Sequence, residues 1–386
     1  MKTVCEKDTC TGCMACAEAC PKCAIHIEGT TEAYNAVIDE TLCAACERCH
    51  KICQNCQKVS MQKPILWQQG WASDEKIRRR ASSGGLATAI AKAFIRAGGS
   101  VCSCVFSEGV FRFAFAEREA EADRFTGSKY VKSAPLGIYC ELKTRLTAGQ
   151  KVLFVGLPCQ VAAAKLFVGE SVQKRLYTID LICHGTPSPT LLYSFLSQYE
   201  MDTARIGNLT FRDKNQFSLK NTGRPVAEKY ASDRYTLAFL QGLTYTENCY
   251  RCQYAREERV SDLTLGDAWG TELPQQERSR GISLALSQNE KGIELLSMAR
   301  LYLVDANRER MIQNNHQLEQ PSRKPAVRVR FFHLLGKNKT FNRAVFKCYP
   351  KQCIKQKIKS TLFCIKSVFD RGGQRKFMGE NPRNNE

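Results

Sequence analysis

The run CTGCMACAEACPKC sets Cys10, Cys13, Cys16 and Cys20 in C-x2-C-x2-C-x3-C-P spacing, and CAACERCHKIC repeats it with Cys43, Cys46, Cys49 and Cys53. Three thiolates so close together grip one face of an iron-sulfur cubane, while the fourth of each run reaches across to the other cluster. The spacing therefore assigns Cys10, Cys13, Cys16 and Cys53 to one [4Fe-4S] cluster and Cys43, Cys46, Cys49 and Cys20 to a second. Zinc takes the same thiolates and is the competing metal. Cys5, Cys23 and Cys56 lie outside the pattern and read as free reduced thiols.

Between the two runs, AIHIEGTTEAYNAVIDE alternates apolar and polar residues on either side of a Gly-Thr-Thr turn, the pattern of a hairpin. Two cysteine runs around a hairpin resemble a bacterial-type two-cluster ferredoxin. Gln54 departs from that family, which usually carries proline after the fourth cysteine. The change reads as loosening or exposing the second site without removing a ligand.

A third set is dispersed. Cys249 and Cys252 form a C-x2-C pair in ENCYRCQYA that supplies half of a four-ligand site. KVLFVGLPCQVAAAKLF and LYTIDLICHGTPSPTLLYSFLSQY each read as a buried strand, a short loop and a helix. Successive units of this kind favour a parallel sheet whose loops emerge at one carboxyl edge. Cys159 and Cys183 should meet there and complete the set, around a further [4Fe-4S] cluster or a zinc ion. His184 could tune a cluster through hydrogen bonds, and taken alone reads as structural. RVSDLTLGDAWG reads as a strand entering the same sheet, with Asp267 and Trp269 at its end in either a redox or a purely structural turn.

These loops need a scaffold around them. MQKPILWQQG reads as a polar connector. In RRRASSGGLATAIAKAFIRAGG, Ser82 and Ser83 can cap a helix that stops at Gly98-Gly99, and Gly84 and Gly85 allow a close backbone approach. Free amides at such a helix start suit a phosphate, with Arg78 to Arg80 adding charge, and an ordinary capped helix explains the same residues. VCSCVFSEGVFRFAFAE reads as two strands about Glu108-Gly109. In FTGSKYVKSAP, Lys129 and Tyr130 could meet an anionic or aromatic ligand, or simply form a solvated turn.

The chain has 386 residues, 43% hydrophobic and 25% charged, as in a soluble globular protein of two or three domains. It shows no signal peptide and no apolar run near the roughly 18 residues of a membrane span, so a cytoplasmic location is expected. Clustered cysteines in a chain of this size, 21 in all, point to metal and not to disulfides. Net charge is +19, of which +14 belongs to residues 321–386, with 17 lysines and arginines against 3 acids. There KQCIKQKIKSTLFCIKSVF places Ile354, Ile358, Leu362, Ile365 and Phe369 at helical spacing among lysines. Such a helix suits peripheral contact with an anionic inner membrane surface, or docking on a partner or on the protein's own core. Nucleic acid finds no recognition motif, and the final GENPRNNE reads as disordered.

As an ordered set, the two cysteine runs followed by SSGG, GSKYVKS, GLPCQ, CHGTPSP, NCYRC and SDLTLGDAWG resemble the beta subunit family of coenzyme F420 hydrogenase/dehydrogenase, in a form with a fused N-terminal ferredoxin. The resemblance covers about residues 5 to 300. It implies an α/β fold, α+β overall: a two-cluster ferredoxin domain at 1–60, a mixed α/β flavin and iron-sulfur region at 61–150 and 151–320, and a helical basic tail at 321–386. It also implies FAD, contacted by Ser82, Ser83, Gly84, Gly85, Gly127, Ser128, Lys129 and Tyr130. Lys129 becomes the candidate catalytic cation, offsetting negative charge on the reduced ring. The activity implied is oxidation or reduction of an organic substrate, in similar fused proteins linked to synthesis of cell-surface polysaccharides. A plant chlorophyll-derivative reductase is similar too, so the family does not fix the substrate, nor does its name imply use of a deazaflavin. Two other readings stay open: an electron-transfer adaptor feeding a redox partner protein, and a scaffold with structural zinc.

Overall fold

A computed structural model describes residues 2–202, 205–227, 233–358 and 361. The N-terminal module is a small antiparallel sheet of β1 (Lys2–Thr3), β2 (Ile25–Gly29) and β3 (Tyr34–Ile38), in the order β1-β3-β2. The hairpin read from the sequence is β2–β3, with Ile25 opposite Ile38 and Gly29 opposite Tyr34. Its turn is closed by Thr30, whose hydroxyl donates to the Ala33 carbonyl and accepts from the Ala33 amide. Val4, Ile25, Ala36 and Ile38 pack against Cys10, Cys16 and Cys53, so the thiols form part of this module's core.

The main body is a sheet of eight strands. Chain order runs β4 (Leu66–Ala72), β5 (Ser100–Ser107), β6 (Val110–Ala116), β7 (Val152–Gly156) and β8 (Leu176–Leu181). Then come β9 (Leu209–Asp213), β10 (Gln216–Asn221) and β11 (Arg224–Pro225), which form a separate small sheet, and β12 (Leu263–Asp267), β13 (Ser283–Ser287) and β14 (Leu301–Asp305). The large sheet has the order β14-β4-β13-β12-β8-β7-β5-β6, with β5, β7, β8 and β12 parallel to one another. As the two strand-loop-helix units required, β7 and β8 are neighbours in register, Val155 opposite Ile179. Leu153, Ile179, Leu263 and Leu265 face the helices Leu86–Arg96 and Glu290–Met298. Cys102, Val152 and Phe154 face the opposite way, toward Ile138–Thr147 and Pro158–Val168. Both faces are covered, which is why these strands read as near-continuous apolar runs.

Part of the expected connector is itself a strand. β4 lies between β13 and β14, and Gly70 permits it: a Cβ there would sit 1.8 Å from the Tyr302 carbonyl oxygen of β14.

The remaining core joins helices Pro189–Ser197 and Arg234–Leu240 to β9–β11 and to the C-terminal helices Arg328–Gly336 and Phe341–Cys348. Residues beyond 321 join this core, one of the readings open for the basic segment. Phe331 and Phe341 are fully buried, Phe341 against Phe195, Tyr235 and Phe331, and Cys353 is buried in the same cluster, so folded protein continues well past that point. The basic character of 321–386 had hidden these aromatics. Ile354 and Ile358 do project from the surface, while Leu362, Ile365, Phe369 and the C-terminal GENPRNNE lie outside the described residues. Among the described residues no helix is long and apolar enough to cross a membrane. Because Phe341 fills a fully enclosed site, Phe341→Ala should cost about 3–5 kcal/mol of stability, read as a lower denaturant midpoint; a freely solvated tail would show no change.

Candidate functional site

The two N-terminal cysteine runs share one backbone pattern. Gly12 and Met14 follow Cys10 with positive φ, and Ala45 and Glu47 follow Cys43 in the same way. The short helices Ala15–Glu18 and Arg48–Ile52 then begin at equivalent places. Positive φ is unfavourable for Met, Ala and Glu, and persists where surrounding structure requires it. It turns backbone amides toward sulfur: Gly12 N–H donates to Cys10 Sγ and Ala45 N–H to Cys43 Sγ, both at 3.4 Å, and Ala24 N–H donates to Cys20 Sγ at 3.3 Å. Such bonds suit the thiolate form that a cluster requires.

A recess in the module is lined by Cys20, Cys43, Cys46 and Cys49, the four cysteines assigned to the second cluster. The other set is more enclosed, with Cys10, Cys13, Cys16 and Cys53 all buried. Burial pushes the Cys13 and Cys16 thiols up, a cost that metal binding to thiolates offsets. Cys5, which the sequence reads as a free thiol outside the repeat, is buried in the same cluster as Cys10, Cys16 and Cys53.

Cys159 and Cys183 both lie at the carboxyl edge of the large sheet. Cys159 lies in the first turn of Pro158–Val168, directly after β7, and Cys183 follows β8. Charge on Cys183 and Cys252 acts on Cys159, and charge on Cys249 and Cys252 acts on Cys183, whose thiol is pushed up to about 12, mainly by burial. The Thr186 amide approaches Cys249 Sγ at 3.5 Å, tying the loop after β8 to the C-x2-C segment. A buried pair makes the second tie. Arg259 bonds Asp180 Oδ1 at 3.0 Å, the Leu181 carbonyl at 2.9 Å and the Tyr254 carbonyl at 2.8 Å, so the end of β8 and the segment after Cys252 share one guanidinium. Among the described residues no three His, Cys, Asp or Glu side chains converge on a single-ion site. A cubane offers each thiolate its own iron and needs no such convergence.

The N-terminal module meets this third set directly. Cys13 packs in the same cluster as Cys159 and Cys252, and the Tyr139 hydroxyl donates to the Cys13 carbonyl at 2.8 Å. Gln54 completes the junction. Its amide donates to Thr11 Oγ1 at 3.2 Å, and its side-chain oxygen accepts from the Tyr254 hydroxyl at 2.6 Å and from Gln253 at 2.9 Å. Far from exposing a site, Gln54 is buried. The polar replacement for proline is explained by the partners it finds beside Cys252.

The SSGG and GSKY loops are adjacent, joined where the Ser128 amide donates to Ser82 Oγ at 2.8 Å. Several roles differ from expectation. Ser83 Oγ donates to the Ile282 carbonyl at 2.8 Å, and a Cβ on Gly84 would lie 2.4 Å from the Gly70 carbonyl oxygen, so both residues seat the loop on the sheet. Gly85 starts the helix Leu86–Arg96 at φ 90° with no side-chain cap. Arg78 is buried and bound to Glu277 at 2.6 Å, and Arg80 faces Asp123, so neither is a free phosphate ligand. Lys129 turns its ammonium onto the Phe125 and Gly127 carbonyls, both at 3.0 Å, and braces its own loop. Tyr130 stacks on Phe239 at 4.3 Å and meets Arg212, which forms a two-bonded pair with Asp267 at 2.6 and 3.0 Å. The acid that ends β12 thus belongs to this site. Arg212 was not singled out in the sequence.

An open cleft of about 350 Å³ borders the third cysteine set, lined by His184, Tyr245, His316 and Arg323 among others. Burial, with the neighbouring His316, holds the His184 ring down to a pKa of about 4. Gln317 bridges the two rings, 2.8 Å from His184 Nδ1 and 2.6 Å from His316 Nε2.

Fold and site together define a mixed α/β protein with a two-motif cysteine module docked beside a further four-cysteine set. Residues 149–304 match the family model for the C terminus of the beta subunit of coenzyme F420 hydrogenase/dehydrogenase, the family that the motif order resembles. The chain is also similar to one in the structure titled "Xenon derivatization of the F420-reducing [NiFe] hydrogenase complex from Methanosarcina barkeri". Identity there is 17%, over 72% of this chain and 96% of that one, with a TM-score of 0.45. No curated protein matches the sequence.

The junction can be tested by a double-mutant cycle. Gln54→Leu leaves the Tyr254 hydroxyl buried without its acceptor and should cost about 1–3 kcal/mol in denaturant unfolding. Adding Tyr254→Phe should recover part of that loss; strict additivity would show that the two residues do not interact.

Proposed function

We propose that the chain is an iron-sulfur flavoprotein oxidoreductase, passing electrons between a redox partner protein and FAD, which serves an organic substrate. The observation that carries this reading is the meeting of Cys159, Cys183, Cys249 and Cys252 at one sheet edge, against Cys13 of the N-terminal module. The match of 149–304 to a hydrogenase/dehydrogenase family supports redox chemistry.

The order of sites follows from exposure. Cys46 is exposed and Cys20, Cys43 and Cys49 partly so, which makes their set the face open to a redox partner. Cys10, Cys13, Cys16 and Cys53 come next, then the set at the sheet edge. When bound, FAD supplies conversion between one-electron and two-electron transfer. The residues that would hold it are Gly85, the adjoining Gly127 and Ser128, and Tyr130 with the Arg212–Asp267 pair, while Gly84 would shape the loop, its N–H donating to Ser283 Oγ and its carbonyl accepting from the Ala72 amide. Ser82, Ser83 and Lys129 would act by shaping these loops, since their polar groups bond within the protein. The cleft beside His184 is the proposed substrate site, where Tyr245 offers a ring, Arg323 a cation, and two imidazoles polar contacts. A role in cell-surface polysaccharide synthesis is part of this proposal and rests on the resemblance alone.

The exposed face of the second set also favours a second reading, an adaptor that feeds a partner enzyme without a substrate of its own. Anaerobic purification with metal, sulfide and flavin analysis tests both against the zinc scaffold. The expected result is about 12 iron atoms from three four-iron clusters, with one FAD; about eight iron with zinc and no flavin would sink the proposal. Cys249→Ser should remove about four irons and leave the N-terminal pair. Bound flavin that only a protein partner reoxidises would favour the adaptor.

A further inference from the structure

We propose that Lys132 is the counter-charge shared by the centre containing Cys13 and the centre containing Cys159 and Cys183, and that it makes both easier to reduce. The inference rests on the iron-sulfur reading above.

Lys132 lies three residues beyond Lys129 in the same loop and turns the other way. It is 7% exposed, and its ammonium donates to the Thr11 carbonyl at 2.8 Å, 5.3 Å from the centre of the Tyr34 ring. Its backbone N–H donates to the Pro187 carbonyl, in the loop that carries Cys183. A buried cation is costly unless a negative group balances it. The neighbouring cations are balanced: Arg259 by Asp180 and Arg212 by Asp267. Among the described residues Lys132 has no ion pair. The groups its charge does act on are thiols, Cys13 on one side and Cys159 and Cys183 on the other.

The aliphatic stem of Lys132 lies against the first cysteine run, where a Cβ on Gly12 would meet Lys132 Cδ at 3.1 Å. Four thiolates around a four-iron core give an anionic centre, and an added electron increases that charge. A fixed cation between two such centres favours the reduced form of each, more strongly because the site excludes water. The open set around Cys43 and Cys46 receives no such help.

The test is an EPR-monitored redox titration of the whole loaded protein. Lys132→Gln should lower the midpoint potentials of two clusters and leave the third in place, with iron content unchanged. Lys132→Arg, which keeps the charge, should hold the potentials close to wild type. The inference is overturned if no potential moves, if all three move together, or if Lys132→Arg shifts them as Lys132→Gln does. Should Lys132→Gln fail to fold, Lys132→Met, which also removes the charge and keeps the length of the aliphatic stem, takes its place in the same titration with the same expected and overturning outcomes. Failure of the underlying reading looks different: the wild-type protein would then lack one of the three cluster signals.

Discussion

The guanidinium of Arg328 holds together parts of the chain that lie far apart in sequence. It is 1% exposed and makes four hydrogen bonds, two to Glu32 in the N-terminal hairpin, one to the Tyr245 carbonyl and one to the Tyr250 hydroxyl, with an ion pair to Glu247 besides. Glu247 and Tyr250 flank Cys249, so one side chain from the C-terminal helices links the N-terminal module to the third cysteine set. Planar, multiply bonded recognition of this kind is what arginine provides and lysine does not. The Glu247 amide also donates to the Glu32 carbonyl at 2.9 Å, so the docking has a backbone bond as well.

With the module fixed by Arg328 and the strand end fixed by Arg259, the four dispersed thiols need no local motif. Parallel strands deliver Cys159 and Cys183, and the buried Asp180 at the end of β8 gives Arg259 its anchor. The aromatic stack of Tyr130 on Phe239 then connects the GSKY loop to the core that contains Cys249. Cysteine set, loops and cleft share one edge because strand direction puts them there.

How much of this was legible depended on range. The repeated spacing of Cys10 to Cys53 is local and was read directly; the meeting of Cys159 with Cys183 followed from strand order. β4 was missed because a Trp-Gln-Gln-Gly run carries few β-formers, and its place is fixed by partners more than 200 residues away. Gln54 looked like a weakened ferredoxin site because Gln253 and Tyr254 could not be seen beside it. Charge count left residues 321–353 open between membrane contact and docking on a partner or the protein's own core, because Phe331 and Phe341 show their burial only once the rest of that core is in place. Lys129 and Lys132 differ by three positions, and composition cannot say which ammonium braces its own loop and which reaches the Thr11 carbonyl in the first cysteine run.

The unequal burial of the two N-terminal sets bears on how such a protein would be made and worn out. Cys10, Cys16 and Cys53 are buried in the module's own core and Cys13 against the body, while Cys46 stays at the surface. On the iron-sulfur reading, iron for the enclosed set would have to arrive as the module itself folds, whereas the outer set could be filled, or refilled, in the finished molecule. Dioxygen would reach the outer set first, so damage and repair would fall on the same four thiols.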